Sequence, residues 1–174
     1  FFFKQKTAYE ILTCDWSSDV CSSDLIVTSP TATFDFTVTS ATGSNLNIDT
    51  TCDGKALSPG ITLNAVPASA KSLILIMDTI PGPARPGETQ VGNHYYITKF
   101  NIAPTTSNFA EGSITPYSPP CSQGPGLKEY RFFIFVLNKV LPADQKYDGA
   151  ALMEIGERDS IAKATHIYTY ARKA

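Results

Sequence analysis

A catalytic protein needs a nucleophile, a base or a metal cluster at a recognisable spacing, and this chain offers few. Its two histidines, His94 and His166, fall on separate predicted strands, whereas a zinc site draws three or four ligands together. There is no Gly-x-Ser-x-Gly elbow, no Gly-x-x-x-x-Gly-Lys-Ser/Thr phosphate loop and no His-Glu-x-x-His. The enzyme alternative is a hydrolytic site built on Asp78 and His94. The inventory otherwise predicts a protein with no catalytic residue, no cofactor and no metal, and turns attention to binding.

The segment from Phe1 to Leu25, FFFKQKTAYEILTCDWSSDVCSSDL, is set apart from the rest. KQKTAYEI and DWSSDVCSSDL resemble translated sequencing adapters, with Leu12 to Cys14 where a variable index falls. Asp15, Asp19 and Asp24 break the only run that a signal peptide would need. Residues 1–25 are therefore expected to be non-native and without ordered structure, and residues 26–174 to form one domain. The authentic N-terminus would then be missing, and export to a periplasm or exterior, or retention in the cytoplasm, stays open.

Two of the 14 basic and four of the 16 acidic residues lie in that segment, leaving 12 of each in the remainder. Net neutrality argues against nucleic acid and against a polybasic membrane surface, which are bound through excess Lys and Arg. It leaves room for a small charged ligand. No apolar run approaches the roughly 18 residues of a membrane span. Of the four cysteines only Cys52 and Cys121 remain after Leu25, too few for a disulfide-dense scaffold and too far apart for a zinc motif. They are a possible disulfide if the domain is exported.

The elements that must position any site are strands. Thr33 to Val38 alternates with period two. Ser72 to Met77 is a continuous apolar run, expected as a strand buried on both faces. His94 to Ile102 and Tyr130 to Leu137 are rich in aromatic and β-branched residues. Pro81 to Gly92 and Pro116 to Gly126 are broken by proline and glycine and read as loops. Asp148 to Glu157 and Asp159 to Ala164 each open on an aspartate that can cap a helix, with Gly156 dividing two short helices. Thr165 to Tyr170 alternates as a last strand. The pattern predicts a mainly β chain, an antiparallel β-sandwich with short C-terminal helices.

Three segments carry a resemblance. Cys52-Asp53-Gly54 is followed three residues later by Ser58-Pro59. The buried strand ends in Asp78, and after a proline loop an aromatic strand closes on Phe100-Asn101-Ile102. Ser118-Pro119-Pro120-Cys121 leads to Gly126-Leu127-Lys128-Glu129-Tyr130. In this order, from about Phe34 to Arg172, the chain resembles the phosphatidylethanolamine-binding protein family, in its bacterial Raf-kinase-inhibitor-like branch (YbhB/YbcL type). The resemblance implies an antiparallel sandwich with C-terminal helices and a small pocket for phosphate-like anions.

It also implies site residues, with departures. The family's Asp-Pro-Asp-Ala-Pro motif corresponds to Asp78-Thr79-Ile80-Pro81, where Ile80 replaces the second acid. The family's pocket histidine falls on Tyr96. His94, two residues earlier and on the same face by period two, substitutes if the strand is bulged. Gly-Pro becomes Ser118-Pro119, and His-Arg-Tyr becomes Lys128-Glu129-Tyr130. A lysine there supplies a cation that neutral pH does not switch off. It either strengthens anion binding or pairs with Asp78 and fills the pocket. The simpler alternatives are Asp78 capping a turn, Tyr96 and Tyr130 as core aromatics, His94 as an ordinary strand residue, Lys128 as a solvated charge, and Ser118 and Pro119 as loop-shaping residues. His166 is expected to be structural.

The leading expectation is a non-enzymatic module that binds a phosphate- or carboxylate-bearing ligand through Asp78, His94, Tyr96, Ser118, Pro119, Lys128 and Tyr130. The second is a protein-interaction or inhibitor module that docks a protein partner through the loop from Pro81 to Gly92.

Overall fold

The computed structural model describes residues 33–83, 86–89, 91–121 and 126–172. The segment 1–25, read above as adapter, lies outside the described residues.

Alternation of apolar and polar residues creates the first strands. In β1 (Asp35–Val38) Phe36 and Val38 are buried while Asp35 and Thr37 are exposed, as a half-buried strand requires. Two short pieces, β2 (Ala41–Thr42) and β3 (Asn45–Leu46), form a hairpin, and β4 (Ile61–Asn64) pairs antiparallel with β1. The continuous apolar run becomes β5 (Ser72–Thr79). It is followed by β6 (His94–Ile102), the short β7 (Asn108–Phe109) and β8 (Gly126–Leu137). One helix, α1 (Gly149–Asp159), leads into the longest strand, β9 (Ser160–Arg172).

The described strands make two sheets: a three-stranded one, ordered β1-β4-β7, and a six-stranded one, ordered β2-β3-β9-β8-β5-β6. The pairings are antiparallel except β3 beside β9, which is parallel at Asn45 and Thr169. The sheets face each other across Phe36, Val38, Ile61 and Leu63 on one side and Leu73, Leu75, Met77, Phe132, Ile134 and Val136 on the other. The far face of the large sheet carries Ile74, Ile76, Phe133, Phe135 and Leu137, covered by Leu141 and Leu152. Strand β5 and the second half of β8, from Phe132 on, are thus buried on both faces, which explains runs with no polar interruption. The fold is the expected mainly β sandwich.

The C-terminal region differs from its expected form. Asp148 caps the helix, its carboxylate accepting from the Ala151 N–H at 2.8 Å, the arrangement that satisfies an orphan donor. Gly156, however, lies inside the helix. A Cβ there would come within 2.4 Å of the Phe135 ring, and one on Gly149 within 2.2 Å of the Tyr95 ring. These glycines let the helix lie close on the sheet. The expected second helix from Asp159 to Ala164 is instead the end of α1 and the start of β9. Residues Ser160–Arg172 run beside β8 in register from Leu137–Ser160 to Gly126–Arg172. A ladder of twelve residue pairs, with about one backbone bond per residue, outweighs a local helix preference of a few tenths of a kcal/mol each.

Candidate functional site

A cavity of about 450 Å³ opens where β5 ends and β8 begins. Thr79, Ile80, Pro81 and Gly82 form one wall, Leu127 to Tyr130 a second, and Tyr96 and Cys121 close it. The turn after β5 is pinned to β8 by the Thr79 hydroxyl, which donates to the Glu129 carbonyl at 2.6 Å.

The aromatic side is set by a β-bulge. Met77 pairs with Ile97 but Asp78 with Tyr95, so Tyr96 is the extra residue. The bulge turns Tyr96 and Ile97 toward the cluster between the sheets and Tyr95 toward the helix side. The Tyr96 ring meets His94 at 4.7 Å and Tyr130 at 5.5 Å, both edge to face. Burial, with Tyr130 and Asp78 nearby, pushes the Tyr96 hydroxyl up to about 12. Burial first, then Tyr170 and Asp53, also raises Tyr130. Both phenols are neutral hydrogen-bond donors near pH 7.

Lys128 stands on the face of β8 shared with Tyr130, and it is exposed. Its ammonium has no ion-pair partner among the described residues. The expected alternative in which it pairs with Asp78 does not occur. Asp78 is fully buried and takes a two-pronged bond from Arg131, Nε to Oδ1 at 2.9 Å and Nη2 to Oδ2 at 2.6 Å. The Asn93 side-chain amide adds a bond to Oδ2 at 3.0 Å. Asp78 and Arg131 are direct cross-strand neighbours in the alternation of Ile74, Ile76 and Phe133, so their pair lies on the helix side of the sheet. Asp78 is not among the residues that line the cavity.

The other expected residues lie at the edge. The Ser118 N–H donates to the Tyr96 carbonyl at 2.9 Å, next to a single bridge between Ile97 and Tyr117. Ser118 is exposed and Pro119 half-buried, and they run along β6 without lining the cavity. His94 is exposed and reaches it only through Tyr96. The structure therefore brings together Tyr96, Lys128 and Tyr130, sets His94, Ser118 and Pro119 behind them, and places Asp78 on the opposite face.

Cys52 and Cys121 form a disulfide with Cα atoms 5.3 Å apart. Beside it, Asp53 accepts from the Tyr170 hydroxyl at 2.9 Å and pairs with Arg172 at 2.7 Å. Gly54 is required by close approach, since a Cβ there would fall 2.4 Å from the Ile48 carbonyl oxygen. Ser58 is buried, its hydroxyl accepting from the Ile114 N–H at 2.9 Å. Asn101, at φ +53°, both donates to and accepts from the Leu141 backbone, at 2.8 and 2.9 Å. Arg131 and Tyr170 belong to none of the sequence's candidate site residues. Arg131 adjoins Tyr130, and Tyr170 lies on the inward side of the alternating last strand, so period two was the available signal. Among the described residues no three His, Cys, Asp or Glu side chains converge on a metal position, and no helix is long and apolar enough to cross a membrane.

The described residues thus form a two-sheet β sandwich with a small cavity where β5 ends and β8 begins. The family model for phosphatidylethanolamine-binding protein matches residues 37–171, and the chain belongs to that family. The UPF0098 protein of Chlamydia muridarum is 31% identical over 132 residues, 68% of this chain and 85% of its own length. That of Methanothermobacter thermautotrophicus is 29% identical over 140 residues, 70% of this chain and 87% of its own. A crystal structure from Chlamydia trachomatis, described as a homolog of phosphatidylethanolamine-binding protein, superposes with a TM-score of 0.71 at 27% identity, covering 81% of this chain and 99% of its own. E. coli YbcL shares the fold, with a TM-score of 0.66 at 21% identity over 82% of this chain and 100% of its own.

Proposed function

We propose that this family member is a non-enzymatic binding module that takes the phosphate or carboxylate group of a small ligand between Lys128, Tyr96 and Tyr130. The observation that carries the reading is the Lys128 ammonium, without an ion-pair partner among the described residues, on the wall of a cavity that also holds two neutral phenols. A cation with two donors suits an anionic oxygen group. In this reading His94 and Ser118 hold Tyr96 in place, and Asp78, paired with Arg131 on the other face of the sheet, does not touch ligand. The order of the three motif segments further favours the YbhB/YbcL branch. Affinity near millimolar, about 4 kcal/mol, is expected of one small anion.

A second reading, docking of a protein partner through the loop from Pro81 to Gly92, is favoured by Ile80, just before the loop, and Val91, within it, which are 62% and 67% exposed. Titration with phosphate and with O-phosphoethanolamine, followed by amide NMR, separates the two. Saturable shifts at Thr79, Tyr96 and Lys128 that vanish in Lys128→Ala support the anion site. No shift at tens of millimolar, about tenfold above the expected dissociation constant, removes it and leaves the docking reading.

A further inference from the structure

Resting on that reading, we propose that the Cys52–Cys121 disulfide is a redox control on the anion pocket: reduction by a dithiol loosens the wall that Cys121 forms and weakens ligand binding. Cys121 is an exposed residue that itself lines the cavity, so the bond is part of the site's wall and open to a reductant. The two sides of the bond are held unequally. Cys52 follows a short helical turn closed by the Thr51 N–H on the Ile48 carbonyl at 2.9 Å. The next residue, Asp53, is tied to Tyr170 and Arg172 at the end of β9. That side stays in place without the disulfide.

The Cys121 side is different. Pro119 and Pro120 have no N–H to give to any ladder. The chain is well anchored up to Ser118, by Lys99 on the Thr115 carbonyl at 3.2 Å and by Ser118 on Tyr96. Beyond it, the backbone bond described for residues 119–121 is the Cys52 N–H on the Pro120 carbonyl at 3.0 Å. The disulfide thus joins a fixed point to a stretch of pocket wall that lies outside the described strands, across 69 residues of sequence.

The chemistry balances with a dithiol as the two-electron donor. One thiolate attacks Sγ of Cys121 and displaces the Cys52 thiolate, which takes a proton. The reductant's second thiol then attacks its own sulfur in the mixed disulfide, releasing Cys121 as a thiol and leaving the dithiol as a cyclic disulfide.

The test titrates the full chain with inorganic phosphate and O-phosphoethanolamine, oxidised, after reduction with dithiothreitol, and after reoxidation. Cys52→Ser/Cys121→Ser serves as a reagent-free reduced form. Binding about tenfold weaker on reduction, restored by reoxidation, with the amide protection of β5 and β8 unchanged, is expected from loss of a preorganised wall. Equal affinity in both redox states overturns the control while leaving the anion site standing. No binding by the oxidised protein overturns the anion site and the control together. Loss of β5 and β8 protection on reduction overturns the control as well, because the bond would then hold the fold rather than the wall.

Discussion

Removing the Arg131 guanidinium should destabilise the fold strongly while sparing the pocket. Asp78 has no exposed surface, and its two oxygens are occupied by Arg131 and Asn93. Breaking a buried pair from one side leaves a stranded carboxylate, at about 3–5 kcal/mol. The Arg131 side chain is 23% exposed and Asn93 would keep one bond, so Arg131→Met belongs near the lower end, about 3 kcal/mol. With a urea slope of about 2 kcal/mol/M, that is a midpoint shift of about 1.5 M. Asp78→Asn should cost less, about 1–2 kcal/mol, since the amide still accepts a bond and Arg131 is partly wet. Replacing both partners, Asp78→Leu with Arg131→Met, should recover much of the loss. Urea unfolding followed by tryptophan-independent circular dichroism reads all four proteins, and phosphate titration of each reads the pocket. A cost under about 1 kcal/mol for Arg131→Met at unchanged slope would refute the buried-pair argument. Loss of phosphate binding in a folded Asp78→Asn would refute its placement away from the ligand.

Three further outcomes follow from the same geometry. Gly156→Ala, whose Cβ would meet the Phe135 ring at 2.4 Å, should destabilise by about 1–3 kcal/mol despite alanine's better helix propensity; urea unfolding decides, and a stabilised variant would contradict the close approach. The raised Tyr96 hydroxyl keeps its proton in the folded chain after an unfolded tyrosine has lost it, so its contribution is complete below pH 10 and fades toward about 12. A difference spectrum of wild type and Tyr96→Phe should show that late titration. Asp35 is held below the ordinary carboxylate range, chiefly by its hydrogen bond to His166 at 2.7 Å. Its share of stability is therefore present above the ordinary carboxylate value and lost as pH falls through the lowered one; in His166→Ala, a carboxyl NMR titration should find Asp35 moved back up.

The strands that carry the cavity were legible because each has one dominant pattern. Phe36 and Val38 alternate with polar residues, and Leu73 to Met77 does not alternate because both of its faces are covered. The cap at Asp148 was legible from its residue type. What could not be read is whatever depends on pairing between distant segments. The span Ser160–Arg172 opens with residues that suit a helix, and only its ladder with β8 makes it a strand from the start. The face of Asp78 is the same kind of fact. Its partner is residue 131 because β5 and β8 run antiparallel in one register, and no local pattern in either strand fixes that register. The bulge at Tyr96 likewise exists only relative to β5.

The motif residues that carry the family likeness do mostly structural work in this chain. Asp53 ties the Cys52 loop to the end of β9, Gly54 permits backbone contact, Ser58 receives a buried N–H, and Asn101 bridges a left-handed bulge to Leu141. Each would be needed to build the cavity end of the sandwich whatever ligand it took. They are therefore evidence for the scaffold and carry no information on the ligand. The ligand's chemistry has to be read from the residues that face the cavity, Tyr96, Tyr130, Lys128 and Ile80 among them. In the proposed binding reading the cavity offers an anion two phenols that keep their protons and the Lys128 ammonium beside them. Ile80 adds an exposed alkyl group to the wall. Under that proposal the three residue types work together, the ammonium attracting the anionic group, the phenols donating to its oxygens and the alkyl group contacting the rest of the ligand, which is a stricter expectation than membership of the family alone supplies.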